Sequence, residues 1–351
     1  MARALYMNFK NLISRERAGS VLILALWTVV FLSVFAVQIG MKIQQKATML
    51  LRLETRSKLH YIADAGIKKA IASIRMDISR NGDLYTSYGK YYRHNNPDKF
   101  KGIVVGDGYF DVSYPYYGSS SSAVEIKYGV VDAESKININ VAPQDVIVRL
   151  IMSVLGLDQE DAAWLANNII DWREFGQSHA EGFYSNEYYS NLEFPYEIKS
   201  KPFELIDELL LVEGFTEDVY ERLYPFITVY GDGLVNINTA SYQVLYAIGL
   251  SQSVIDKFLM VRRGFDDKDF SVDDHIFHKT FDMAVDMLAF TKLEISEIRE
   301  IDLLNLAQRI KTNSSFYLIG SRARIRNKEE VLEAVCVYNA LENRIEYWRE
   351  K

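Results

Sequence analysis

Residues 20–41 (SVLILALWTVVFLSVFAVQIGM) hold no charged side chain across 22 consecutive positions. A helix rises about 1.5 Å per residue, so this run would be roughly 33 Å long, enough for a hydrocarbon core of about 30 Å. The flank before it carries Arg3, Lys10, Arg15 and Arg17 against one acid, Glu16. A basic flank is retained in the cytoplasm, so the chain after Lys42 is expected on the far side of the membrane. A buried core helix is the bland alternative, but uncharged runs of about 18 or more usually span. A cleavable secretory signal has an apolar region of about 7–15 residues ending at small residues. Here the apolar run is longer and passes without such a break into a helical pattern.

That pattern is amphipathic. Leu59, Ile62, Ala63, Ile67, Ala70, Ile71, Ile74 and Ile78 recur at steps of three and four, with charged residues between them. Such a stripe needs a sheet or other helices to cover it. Asn81-Gly82-Asp83 is the expected stop. Strand-rich stretches follow at residues 102–117 and 124–131, separated by Gly118 and four serines, and read as a hairpin. The chain end is similar, with alternating patterns at 315–325, 330–338 and 344–348 and turns at Asn327-Lys328 and Glu342-Asn343. Between the two strand groups, residues 142–311 show helical spacing and acidic joints. Each strand group alone is a small sheet of marginal stability, so an all-helical domain inserted into one α+β domain is expected.

The insert repeats itself. Ile137-Asn138-Ile139-Asn140-Val141-Ala142 is echoed by Val235-Asn236-Ile237-Asn238-Thr239-Ala240, and Gly156-Leu157 downstream by Gly249-Leu250. Each unit reads as an extended segment feeding a helix, with the Gly-Leu pair turning the chain into a second helix. A third such stretch runs through residues 203–218. These units resemble helix-hairpin-helix modules, whose DNA-binding versions donate backbone N–H groups to phosphate beside Lys or Arg. The turns here read GLDQED (156–161) and EGFTED (213–218), and those acids repel phosphate. The whole chain agrees, with 40 Lys and Arg against 47 Asp and Glu, a formal net charge of −7. Packing or a protein interface is the reading for these units.

Candidate chemistry is sparse. Asp171-Trp172-Arg173-Glu174, with Gln177, Glu181, Asn186 and Glu187, gathers oxygen donors in an expected loop. Calcium takes about 6–8 oxygen ligands, and Asp171, Glu174, Glu181 and Glu187 are the candidate set; a solvated acidic loop is the alternative. His275 and His278 lack a visible third ligand and read as a solvated helix start. The single cysteine, Cys336, excludes an internal disulfide and any multi-cysteine metal site. No nucleophile elbow, phosphate-binding loop or HExxH motif occurs, so an enzyme is not expected.

The leader ending in Ala18-Gly19, followed directly by the apolar helix, resembles the class III signal of type IV pilins and pseudopilins. That resemblance implies cleavage by a prepilin peptidase between Gly19 and Ser20, with methylation of the new terminus. The fifth mature residue is then Leu24, where most pilins carry Glu. With the NxNxA units, Ile170-Asp171-Trp172-Arg173, the Tyr188-Tyr189 to Pro195-Tyr196 stretch and the run from Asp207 to Thr216, the order of motifs resembles the minor pseudopilin K (GspK) family of type II secretion. That family typically lacks the Glu. The resemblance implies a leader at 1–19, a membrane helix at 20–41, a pilin-like α+β domain at 42–141 and 312–351, and an inserted all-α, helix-hairpin-helix or SAM-like domain at 142–311. The helix would pack on an antiparallel sheet. Implied with it are a single-pass inner-membrane protein with its bulk in the periplasm and a structural role at the pseudopilus tip. The implied partners are the I and J pseudopilins, the major pseudopilin and the assembly platform. No nucleic acid and no required cofactor are expected. Family members have several Asp after Asp-Trp in a calcium-binding loop; here only Glu174 follows closely. The alternative function is a membrane-anchored helix-hairpin-helix protein of DNA uptake.

Overall fold

A helix of 79 residues, α1 (Ala2–Arg80), begins the chain. The computed structural model describes residues 2–80, 94–117, 124–174 and 187–351, with side chains from 21–76, 94–117, 124–174 and 188–351. Two compact units divide inside α1, at Met1–Lys58 and Leu59–Lys351.

The first unit is helix alone. Its apolar side chains from Val21 to Met41 are exposed, Leu24 at 67% and Phe31 at 70%. Between Val21 and Met41 the hydroxyls are satisfied within the helix: Thr28 Oγ1 donates to Ala25 O at 2.8 Å and Ser33 Oγ to Val29 O at 2.8 Å. Apolar exteriors with internally bonded polar groups suit a medium that offers no hydrogen bonds.

In the second unit the remainder of α1 buries Leu59, Ile62, Ala63, Ile67, Ala70 and Ile74, the spacing of one helix face. That face lies on an antiparallel sheet. β1 (Ile103–Val105), β2 (Gly108–Tyr116), β9 (Phe316–Ile325), β10 (Val331–Asn339) and β11 (Arg344–Glu350) follow one another in space. β3 (Glu125–Tyr128) also pairs with β2, and β4 (Val131–Asp132) with β9. The two strand groups meet where β2 pairs with β9, from Gly108↔Ile325 to Val112↔Ser321. Gly66 is required there, because a Cβ would collide with Ser321 Oγ and Phe110. Asn327 and Asn343, at φ 61° and 52°, turn the chain between β9, β10 and β11.

The stretch 102–117, expected as one strand, is two. Gly106 at φ 59° breaks it, and β1 pairs back on β2. Residues 94–100 include a one-turn helix, α2 (Pro97–Phe100), that buries Phe100 under the sheet.

A second core, larger than the first, runs from Ile137 to Ile310. Its helices are α3 (Gln144–Leu155), α4 (Gln159–Glu174), α5 (Glu187–Ser190), α6 (Glu217–Leu223), α7 (Tyr242–Ala247), α8 (Gln252–Arg262), α9 (Met283–Leu288) and α10 (Ile295–Leu306). Among the described residues, 142–311 adds no strand to the large sheet. The region is not purely helical, however. β5 (Ile137–Asn138) pairs in parallel with β6 (Ile227–Thr228), and β7 (Val235–Asn236) with β8 (Ile310–Lys311). Two-residue ladders are too short for any alternation to show in a sequence.

Candidate functional site

The two NxNxA units fold alike. In the first, Asn138 Oδ1 accepts from Asn140 N at 3.0 Å, and Asn140 brackets Phe203: Oδ1 accepts its N–H at 2.7 Å and Nδ2 donates to its carbonyl at 2.9 Å. In the second, Asn236 Oδ1 accepts from Asn238 N at 3.1 Å, and Asn238 brackets Phe277 in the same way at 2.9 Å and 2.9 Å. An amide carries both donor and acceptor, so each asparagine stands in for a missing strand neighbour.

An arginine closes each unit, and sequence reading missed both roles. Arg173 Nη1 donates to Ile139 O at 2.5 Å and Nη2 to Ala142 O at 3.1 Å. Arg262 Nη1 donates to Ile237 O at 3.1 Å and to Ala240 O at 2.6 Å. Each guanidinium therefore ties the end of the second helix to the segment that feeds the first. Arg173 takes Glu174 as its counter-ion at 2.7 Å. Arg262 takes Asp269 at 2.7 Å, and both side chains are buried. Burial works against ionising Asp269, but Arg262 and Arg263 hold its carboxyl well below the usual range. Tyr116 of β2 donates to the same carboxylate at 2.6 Å, and burial followed by that charge pushes its phenol far up.

Two more acids join the second core to the sheet where β4 gives way to β5. Asp132 Oδ2 accepts from Asn236 Nδ2 at 2.8 Å, Thr239 Oγ1 at 2.5 Å and Ser314 Oγ at 2.6 Å. Glu134, 3% exposed, accepts from Lys311 Nζ at 2.5 Å and Ser315 N at 2.6 Å. Buried carboxylates persist when every lone pair is used in this way.

The turns are not built for phosphate. Asp158 Oδ1 accepts from Asp161 N at 3.0 Å at the start of α4, and Thr216 caps α6 through Val219 N at 3.4 Å. At α8, Glu300 Oε1 accepts from Ser251 N. Each helix start is thus occupied by an oxygen of the chain itself. The arginines near Gly249 are committed too: Arg149 bonds Ala247 O, Arg309 bonds Ile248 O, and both pair with Asp145.

The candidate calcium residues fall in different surroundings. Asp171 and Glu174 lie in the last turn of α4, not in a loop; Trp172 and Arg173 between them are buried and hold that turn to the core. Glu174 is engaged with Arg173. Glu181 lies outside the described residues, and Glu187 opens α5 with its side chain outside them. Among the described residues no group of three or more His, Cys, Asp or Glu is placed to hold a metal ion. His275 is half-buried in an extended segment against Phe277 and Phe290, not at a helix start. Gly19 and Ser20 are helical in backbone, with side chains outside the described set.

Residues 129–232, from the approach to β4 through the whole first unit, match the family described as Type II secretion system (T2SS), protein K. The minor pseudopilin expected from the motifs is the assignment this match supports. A solved structure, the GspK-GspI-GspJ complex from the type 2 secretion system of enterotoxigenic Escherichia coli, matches with a TM-score of 0.61. The match covers 86% of this chain and 98% of that one at 13% identity, a likeness of fold. No curated protein matches the chain. The segment Val21–Met76 contains the one described helical stretch long and apolar enough to cross a membrane.

Proposed function

We propose that the chain is a structural, non-enzymatic minor pseudopilin that caps a type II secretion pseudopilus, assembled with the I and J pseudopilins. The observation that carries this is the combination of a protein K match with an exposed apolar helix on a fold like that of GspK. In this reading the N-terminus is cytoplasmic until a prepilin peptidase cuts between Gly19 and Ser20, and the bulk of the chain is periplasmic. Leu24 is part of the argument. A charge inside a bilayer is expensive unless paired, and a pilin Glu at that position pairs a neighbour's terminal amine. A subunit with Leu24 supplies no such carboxylate and fits at the free end of the fibre, held by apolar helix packing.

The test is co-expression of the full chain with the I and J pseudopilins of the same system and the prepilin peptidase. A detergent-stable complex with one copy of this chain, its N-terminus beginning at Ser20, is the expected product. Self-polymerisation, labelling along the whole fibre, or an intact Met1 in the assembled protein overturns it.

Calcium is part of the same proposal. Asp171, Glu174, Glu181 and Glu187 offer the hard oxygen donors that the ion prefers, Asp171 from a firmly packed helix end. Glu174 would have to share its carboxylate with Arg173. A ligand that binds only the folded state raises Tm. Thermal unfolding of the full chain should shift upward with calcium over chelator, and Asp171→Asn should abolish the shift. An unchanged Tm in the parent protein rejects calcium while leaving the assembly reading intact.

A further inference from the structure

Between the sheet and the second core lies a cavity of about 310 Å³, within the size range of small-ligand sites. Tyr114 and Tyr116 of β2 line it together with Tyr224, Phe226 and Phe270. A smaller cavity of about 60 Å³ adjoins it, and Lys136 lines both. Lys136 opens the first NxNxA unit, yet it takes no part in the clasp. Its Nζ lies 3.4 Å from Tyr224 O and 5.3 Å from the centre of the Tyr224 ring. Among the described residues no carboxylate pairs with it, whereas the other ions on these walls are committed. Asp132 accepts from three side chains, Glu333 faces Arg322 at 3.5 Å, and Arg349 faces Asp207 at 3.2 Å. Burial drives the Lys136 ammonium down to about 8. A half-buried cation without a carboxylate partner among the described residues, beside a cavity walled by rings, is costly unless something supplies the charge.

We propose that this cavity binds a carboxylate carried on an aromatic body, with Lys136 as the partner of the anion. One uncompensated ammonium balances one negative charge, and Asp132 and Glu333, which also line the cavity, would repel a dianion such as phosphate. The rings favour an aromatic body by offset or edge contact. Two sources carry this chemistry: a free arylalkanoate, and the C-terminal carboxylate of a peptide ending in an aromatic residue. The site is independent of the tip assignment, since it rests on the cavity alone.

The experiment is titration calorimetry on the full chain in detergent, with indole-3-acetate against indole-3-acetamide, and Gly-Gly-Phe against its C-terminal amide. At least one acid should bind ten-fold or more tighter than its amide. Lys136→Met should remove that preference and Lys136→Arg should keep part of it. The acid that binds identifies the source. Equal affinity for acid and amide in the parent protein, or no binding of any probe at millimolar concentration, overturns the proposal even if Lys136→Met fails to fold. An acid preference that survives Lys136→Met in a folded variant overturns it as well.

Discussion

The two NxNxA units share a backbone clasp and differ in how its charge is neutralised. Arg173 leans on Glu174, whose side chain is 37% exposed. Arg262 leans on Asp269, whose side chain is 6% exposed and also receives Arg263 and Tyr116. Partly exposed pairs contribute little, because water competes for both ions. A buried pair adds little net stability while intact, but losing one member strands the other. The first unit is therefore a local fastening. The second is tied to β2 through Tyr116 and to β4 through Asp132, so it sets how the helical core meets the sheet. The family match at residues 129–232 covers the first unit and ends before the second begins.

The sharpest way to break this comparison is to remove each arginine. Arg262→Met leaves Asp269 buried with less of its charge compensated and orphans the carbonyls of Ile237 and Ala240, so about 3–5 kcal/mol should be lost. Arg173→Met orphans the carbonyls of Ile139 and Ala142, but Glu174 turns to water, so about 1–3 kcal/mol should be lost. Denaturant unfolding of the full chain in detergent measures both. Equal losses would show that the counter-ions do not distinguish the units.

Acid provides a second, gentler cut. Asp269 has a folded value below its unfolded one, so its contribution is complete above about pH 4 and is lost as pH falls through the folded value. Asp269→Asn should therefore be less stable than the parent at neutral pH, and the gap should narrow progressively as pH falls below about 4. A parallel pair of curves for Asp269→Asn and its parent would reject the buried ion pair as the anchor.

Much of this comparison is legible in the sequence, and the rest is hidden there for physical reasons. The 22-residue uncharged run is legible from its length, the stripe from Leu59 to Ile74 from its helical spacing, and the NxNxA segments from their echo of one another. The α+β fold with its membrane helix follows from them. Arg173 and Arg262 are hidden because their helices differ in length, so each arginine falls at a different distance from its asparagines. Only the folded turn brings them together. Asp171 to Glu174 reads as a loop because its acids and Trp-Arg pair resemble a surface segment. Trp172 and Arg173 are instead the buried face of a helix end. The two-residue ladders and the Tyr116–Asp269 link join residues far apart in sequence, which no local pattern records.

The smallest expected effect separates the two turns themselves. Gly156 and Gly249 hold the same place after the first helix of each unit, but their backbones differ. Gly156 sits at φ 71° and ψ 21°, inside the left-handed well, with open space where a Cβ would go. Asparagine enters that well more readily than other side chains. Gly156→Asn should thus cost a few tenths of a kcal/mol, while Gly156→Ala costs about 1 kcal/mol from backbone conformation alone. Gly249 is at φ 115°, well outside that well, with Arg149 3.7 Å from the place a Cβ would take. Asparagine gains nothing there, so Gly249→Asn and Gly249→Ala should be about equally damaging, each by roughly 1–3 kcal/mol. The discriminating measurement is the difference between Asn and Ala at each position, which cancels most of what the substitutions do to the unfolded chain. If Asn rescues both glycines equally, the two turns are conformationally the same, and the asymmetry between the units resides in their counter-ions alone.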